Sequence, residues 1–468
     1  MRWTVLQVAL TITIVLLLLD RMLRLLSDDP STSFDVIVYV LVSLVVFLDL
    51  FDMCLRIYIS RRKWGAIPTS VPIRIGTFSP YQMKMHLQPY ALIVSVYNAE
   101  DDLDPFLEAM EPYKEQLWFI DDGSTDRTYL RLRQAGVHCI RGEVNRKKPG
   151  ALKELLEQLP PEIRTVGIFD PDVWIQNHSK SELTDLECAL FNFQRSGFAA
   201  LCPRIEVRPD GWLARLQGLE YAITFAVGRK SLADRNITSG VAFYRRDALE
   251  HVFREHRLSV YAEDLSNALL LLGHGEQIYY DERLVIDTDG KRTMGAWFSQ
   301  RVGWFFGLIK VYHDRFADVK RIAGHRPFFV YHYIFYMGVW AIVLHPLKVV
   351  ALLLSIAGVV NAFDDLLDLN VVPNTRWTNP LYFLLAYAKY TLLAGFMLML
   401  STRGERRRLL PAVPIFYIYQ LLHIIPITLG FMNWFTLRYL GRRVYRDHFQ
   451  DEESLVREFS RQFHRGTA

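Results

Sequence analysis

The chain has 468 residues, of which 51% are hydrophobic, 13% aromatic and only 22% charged. Soluble domains average nearer a quarter charged, so composition excludes a purely soluble enzyme. The polar stretch between residues 85 and 320 equally excludes a chain made only of membrane spans. A net charge of +4 from 54 basic residues gives no reason to expect a nucleic-acid partner.

In chain order, the first apolar run, Trp3 to Leu19, follows Arg2 and ends at Asp20-Arg21 with no small-residue cleavage site, so it reads as an uncleaved anchor. A second, Asp35 to Ile59, carries Asp49, Asp52 and Arg56, charges that must face protein, water or the interface rather than lipid. Arg61-Arg62-Lys63 follows directly, and by the positive-inside rule it places the N-terminus and the central region in the cytoplasm. The four cysteines show no CxxC pairing and read as reduced, buried thiols.

From Tyr90 strands alternate with helices. Strands are expected at 91–96, 116–120, 137–140 and 165–169, and helices at 100–114, 128–135 and 151–159. Alternation of this kind predicts an α/β domain with a mainly parallel, doubly wound sheet, which binds ligands beyond the carboxyl ends of its strands. Three polar clusters, 97–100, 121–126 and 170–172, fall at such ends, the mark of a nucleotide site. Asp170-Pro171-Asp172 offers two carboxylates suited to a hard divalent cation. Lys148, placed before the helix at 151, is within reach of a pyrophosphate.

Residues 295–323 mix aromatics with Arg and Lys, the composition of an amphipathic helix on the cytoplasmic leaflet. Apolar runs return at 328–360 and 381–400. The last, 409–435, lies between two basic clusters and holds Pro411, Pro414 and Pro426, so a bent, re-entrant or surface hairpin with a cytoplasmic tail is expected.

The order Val94-Ser-Val-Tyr-Asn98, Asp121-Asp-Gly-Ser-Thr-Asp126, Lys148-Pro-Gly-Ala-Leu152, Asp170-Pro-Asp172, Ser239-Gly240, Ala262-Glu-Asp264 and Gln300-Arg-Val-Gly-Trp304 resembles the membrane-bound family 2 glycosyltransferases. That group includes the processive cellulose, chitin, hyaluronan and poly-N-acetylglucosamine synthases. The resemblance covers about residues 88 to 310 and implies a cytoplasmic GT-A-like domain inserted between N- and C-terminal transmembrane α-helices. The implied division is two transmembrane helices at 1–62, the transferase domain at 63–294, interfacial helices at 295–326, transmembrane or re-entrant helices at 327–436 and a basic cytoplasmic tail at 437–468.

By the same resemblance Tyr97 and Asp122 would hold the uracil and ribose of a UDP-sugar and Lys148 its diphosphate. Asp170 and Asp172 would bind nucleotide and Mg²⁺ or Mn²⁺. Asp264, with Glu263 beside it, would be the general base. Gln300, Arg301, Trp304, Ser239 and Gly240 would meet the acceptor. The implied activity is inverting elongation of a β-linked polysaccharide and its passage through a channel in the chain's own spans, at the plasma (inner) membrane. Asp49, Asp52 and Lys389 are candidate channel residues. Transfer of one sugar to a membrane lipid, giving a glycolipid, is the alternative. A non-catalytic transporter or scaffold is a remote third reading, opposed by the intact Asp122, Asp170, Asp172 and Asp264. Two positions depart from the pattern: Gly303 stands where the motif carries Arg, so that Arg301 or another cation must replace it or activity is altered, and Ala262 stands where Thr often precedes Glu-Asp.

Overall fold

The computed structural model describes residues 78–177, 183–208, 210–229, 238–257, 261–325 and 403–447, with isolated positions between 345 and 399. The apolar runs at 3–19 and 35–59, with Asp49 and Asp52, lie outside the described residues, as do most of 328–360 and 381–400 and Lys389.

Eight strands form one sheet. They are β1 (Tyr90–Val96), β2 (Leu117–Asp121), β3 (His138–Arg141), β4 (Thr165–Phe169), β5 (Val173–Ile175), β6 (Ala200–Arg208), β7 (Ala242–Arg245) and β8 (Ile278–Asp289), in the order β3-β2-β1-β4-β7-β6-β8-β5. The helices are α1 (Pro80–His86), α2 (Leu103–Ala109), α3 (Thr128–Ala135), α4 (Lys147–Gln158), α5 (Asp185–Gln194), α6 (Trp212–Ile223), α7 (Arg246–Glu255), α8 (Glu263–Gly273), α9 (Met294–Asp314), α10 (Phe316–His325), α11 (Arg403–Leu409) and α12 (Val413–Leu440).

The four strands expected from the sequence are present within one or two residues. They form the parallel half of the sheet, with β1 paired to both β2 and β4. Burial on both faces explains why this half was legible: Ala91 to Val94 and Val166 to Phe169 read as unbroken apolar runs, and all but Gly167 belong to the main core. The expected mainly parallel sheet is corrected to a mixed one. β7 runs antiparallel between β4 and β6, and β5 runs antiparallel to β8. The antiparallel return brings the residues just before Ala242 back to the carboxyl end of β4, since Ala242 pairs with Ile168. Two helix limits also move. The expected helix at 100–114 breaks at Met110, where a 3₁₀ segment carrying Pro112 begins. The helix expected from 151 starts at Lys147, so Lys148 sits in its first turn rather than ahead of it.

The hairpin expected at 409–435 does not form. Val413–Leu440 is one continuous helix despite Pro426, and with α11 before it this is the one segment among the described residues long and apolar enough to cross a membrane. It nevertheless lies along the α/β domain. Tyr419 packs on Trp297 near the start of α9 and Trp434 on His313 near its end, so α12 runs parallel to α9. The approach is close: a Cβ on Gly430 would stand 2.8–2.9 Å from Phe305, Phe306 and the Val302 carbonyl. Ahead of the helix Glu405 pairs with Arg204. Beyond it Arg443 donates to Tyr261 Oη at 2.6 Å, and Tyr261 donates to Asp447 at 2.8 Å. Both ends are therefore tied to the same domain.

One half-buried carboxylate joins α6, α9 and α12. Glu220 on α6 pairs with Arg301 on α9 at 2.9 Å and accepts from Tyr419 Oη on α12 at 2.6 Å, with His423 Nε2 at 3.5 Å. Trp297 Nε1 in turn donates to Tyr419 Oη at 2.8 Å. Burial would raise the Glu220 carboxyl, but Arg301 and His423 outweigh it and hold the group well below the usual range. Because Arg301 is only 1% exposed, Glu220→Ala leaves a buried guanidinium unpaired, and such losses cost about 3–5 kcal/mol. Denaturant unfolding should register a loss of that size, with Glu220→Gln recovering part of it through the Tyr419 hydrogen bond.

Candidate active site

The carboxyl ends of β1, β2 and β4 lie side by side, Val96 opposite Asp121 and Val94 opposite Phe169. The loops that leave β1 and β2 are locked together. Asn98 Oδ1 accepts from the Thr125 N–H at 2.8 Å, Asn98 N–H donates to Ser124 Oγ at 2.9 Å, and Ala99 N–H to Thr128 Oγ1 at 2.8 Å. Asp121 turns inward to accept from Ser124 N–H at 3.1 Å. Asp122, after which Gly123 takes φ +80°, turns to the start of α4 and accepts from Arg146 N–H at 2.7 Å. Burial pushes the Asp122 carboxyl up to about 6 against the pull of the Arg146 and Lys147 amides. Tyr97 is 47% exposed, with Lys147 Nζ over one face of its ring at 5.6 Å.

Lys148 reaches from the first turn of α4 to Asp170 Oδ1 at 2.7 Å and Glu263 Oε1 at 2.9 Å. Burial would lower its ammonium pKa, and the two carboxylates more than reverse that, so Lys148 is held charged. Ser239 and Gly240, delivered by the antiparallel strand β7, complete the edge; a Cβ at Gly240 would lie 3.4 Å from Asp170 Oδ2. Asp172 is raised by burial and by the like charge of Asp170, with Lys291 and Lys148 opposing. Glu263 and Asp264 open α8. Lys148 compensates Glu263, whereas Asp264 is raised by burial and by the charge of Glu263, with one oxygen accepting from Leu265 N–H at 2.8 Å. A pocket lined by Lys148, Ser239, Gly240, Glu263, Asp264 and Asn267 opens between α4 and α8.

The three non-glycine residues described with positive φ are Asn98, Lys147 and Ala262. Each stands in a loop or first turn bearing on this edge. A left-handed residue other than glycine costs about 1–2 kcal/mol, and here the turns it permits aim Tyr97, Lys148 and Glu263-Asp264 at one place. Ala262, where the motif often has Thr, lies against α9: a Cβ on Gly307 would be 3.2 Å from its own.

Gln300, Arg301 and Trp304 form a second cluster. Arg301 donates to Gln300 Oε1 at 2.8 Å, and its guanidinium lies 4.1 Å over the Trp304 ring, which is 36% exposed. Arg301, one of the cations offered in place of the missing motif Arg, is buried and paired with Glu220. Among the described residues, cations besides Lys148 also act on the acidic edge, Lys291 on Asp172 and Arg229 on Asp264. Sequence reasoning missed both. Lys291 follows the carboxyl end of β8, its backbone tied to Gln217 by a reciprocal pair at 3.0 and 2.9 Å. A strand end followed by Lys-Arg was the available signal. Tyr221 was missed too. It is partly buried, and burial raises its phenol, with the charge of Arg301 opposing and those of Glu220, Asp172 and Asp264 adding.

Residues 91–253 match the family model described as Glycosyl transferase family 2. No curated protein sequence matches the chain. Among solved structures the chain is similar to a mannosyltransferase from Pyrobaculum calidifontis in complex with GDP-Man and Mn²⁺, at 15% identity over 83% of this chain and 98% of that one, with a TM-score of 0.48. It is also similar to glucosyl-3-phosphoglycerate synthase from Mycobacterium tuberculosis in complex with uridine diphosphate, at 15% identity over 50% and 84% of the two chains, with a TM-score of 0.33. The span matched by the family model runs from β1 into α7 and contains the Asp122 loop, Lys148, Asp170-Pro-Asp172 and Ser239-Gly240. Residues 91–253 thus carry a glycosyltransferase family 2 domain.

Proposed function

We propose that the chain is an inverting, membrane-associated glycosyltransferase that takes a UDP-sugar and extends a β-linked polysaccharide. The carrying observation is the convergence of Lys148, Asp170, Glu263 and Asp264 at the edge where Asp122 and Asp172 also stand. Tyr97 offers an open ring face to the base and Asp122 a carboxylate to the ribose. Lys148 holds the diphosphate, and Lys291 supplies the positive charge that Arg301 cannot. Asp264 removes the proton from the acceptor hydroxyl, while Lys148 keeps Glu263 compensated.

Asp170 and Asp172 fit a hard divalent cation such as Mg²⁺ or Mn²⁺: they are two like charges close enough to raise Asp172, of the donor type such ions prefer. When bound, that ion neutralises charge on the departing diphosphate.

Membrane association rests on α12. Ile415, Ile418, Leu422, Ile425, Met432 and Phe435 are exposed at helical spacing along its outer side. Such a stripe suits burial in the cytoplasmic leaflet, and it runs beside the helix that carries Trp304. A lipid acceptor is the second reading, favoured by the same stripe.

Product size separates the two. Purified protein in lipid discs, given radiolabelled UDP-sugars, should yield polymer with at least one of them. Trp304→Ala should lower transfer by about tenfold, the scale of one lost stacking contact, with UDP affinity unchanged. A single-sugar lipid as the sole product would install the second reading, and no transfer from any UDP-sugar would remove the donor assignment.

A further inference from the structure

A second cluster of ligating side chains lies away from the acidic edge. His251 and Glu255 stand one turn apart on α7, and His274 follows the last residue of α8. Their ligating atoms converge: His251 Nε2 is 3.2 Å from His274 Nε2 and 3.4 Å from Glu255 Oε1, and His274 Nε2 is 3.1 Å from Glu255 Oε1. Four ligands at 2.0–2.1 Å around a tetrahedral zinc ion are about 3.3–3.4 Å apart. The three measured separations fall around that edge length, and three protein ligands leave a fourth position for water.

We infer that His251, Glu255 and His274 form a zinc site that braces α7 against α8. The donor set selects the ion, since imidazole nitrogens favour zinc and similar late first-row ions over Mg²⁺ or Mn²⁺. The site is separate from the acidic edge because α8 has Glu263-Asp264 at one end and His274 at the other, about 16 Å apart for an 11-residue helix. Its effect reaches the edge through structure: α8 presents Glu263 and Asp264, and α7 contributes Phe253 to the same pocket. Fastening the far ends of both helices limits how they move relative to each other. Zinc takes the Nε2 lone pair of each histidine, so His251 must carry its proton on Nδ1. The Arg254 guanidinium, 3.5 Å from that atom, turns out to solvent when it does.

The test uses full-length protein without a histidine tag, titrated with ZnCl₂ against a chromophoric chelator in millimolar Mg²⁺. Wild type and Asp172→Asn should each take up one zinc tightly. His251→Ala and His274→Ala should bind at least about tenfold more weakly, whereas Arg254→Ala should bind as well or better. Zinc should also slow amide exchange in α7 and at the end of α8 in wild type but not in His274→Ala. Zinc uptake that is absent from wild type, unchanged in both histidine variants, or lost in Asp172→Asn would overturn the assignment.

Discussion

Asp264→Asn is expected to bind UDP as wild type does and to lose transfer by about 10²–10⁴-fold, the usual contribution of a general base. The amide is isosteric and keeps an oxygen for the Leu265 N–H that now meets Asp264 Oδ1 at 2.8 Å, so the first turn of α8 should stand. What it cannot do is accept the acceptor's proton. Burial and Glu263 raise the wild-type carboxyl from 3.8 to about 6, so kcat/KM should fall on the acid side with a midpoint near pH 6 rather than near 4.

The same shift has a stability consequence of opposite sense. A carboxyl whose pKa is higher folded than unfolded favours the fold while protonated, and that contribution is lost as pH rises through the folded value. Wild type should therefore lose stability between about pH 4 and pH 6 relative to Asp264→Asn, and at neutral pH the variant should melt higher. A parallel collapse of UDP affinity would make Asp264 a binding residue. An unchanged acid limb in wild-type variants that retain Asp264 but lose Glu263 would remove Glu263 as a cause of the shift.

Asp172→Asn should be nearly as damaging. Asp172 stands beside the like charge of Asp170, with Lys291 and Lys148 opposing it, and an uncharged amide is a poor donor for a hard cation. Loss of a ligand should lower activity by at least about 100-fold, since even outer partners of a metal are worth 10–100-fold. A readout independent of turnover is available. Mn²⁺ at a hundred times its dissociation constant stabilises a protein that binds it only when folded by about 2.7 kcal/mol, so Mn²⁺ should raise the melting temperature of wild type and not of Asp172→Asn. Without metal the variant should melt above wild type, because the like-charge cost is gone. Near wild-type turnover in Mn²⁺ would remove Asp172 from the metal assignment.

The sequence by itself determined the parallel half of the sheet and the residues at its edge. Strands buried on both faces read as continuous apolar runs, and the polar clusters that interrupt them can only be loops. Asp122, Lys148, Asp170, Asp172 and Asp264 were singled out this way or by resemblance. What it left undecided depended on partners distant in the chain. Strand direction for β7 depends on which neighbour it meets, and short runs such as Ala242–Arg245 look alike in either sense. The pairing of Arg301 with Glu220, 81 positions away, was not legible, because no local pattern shows that a cation is already matched. Lys291 and Arg229 were overlooked for the converse reason: their positions beside Asp172 and Asp264 exist only once the chain has folded. The last apolar helix makes the point most plainly. Hydropathy measures how much of Val413–Leu440 avoids water, but it cannot say whether lipid or protein covers each side. The contacts of Tyr419, Gly430, Arg443 and Asp447 show which side the domain covers.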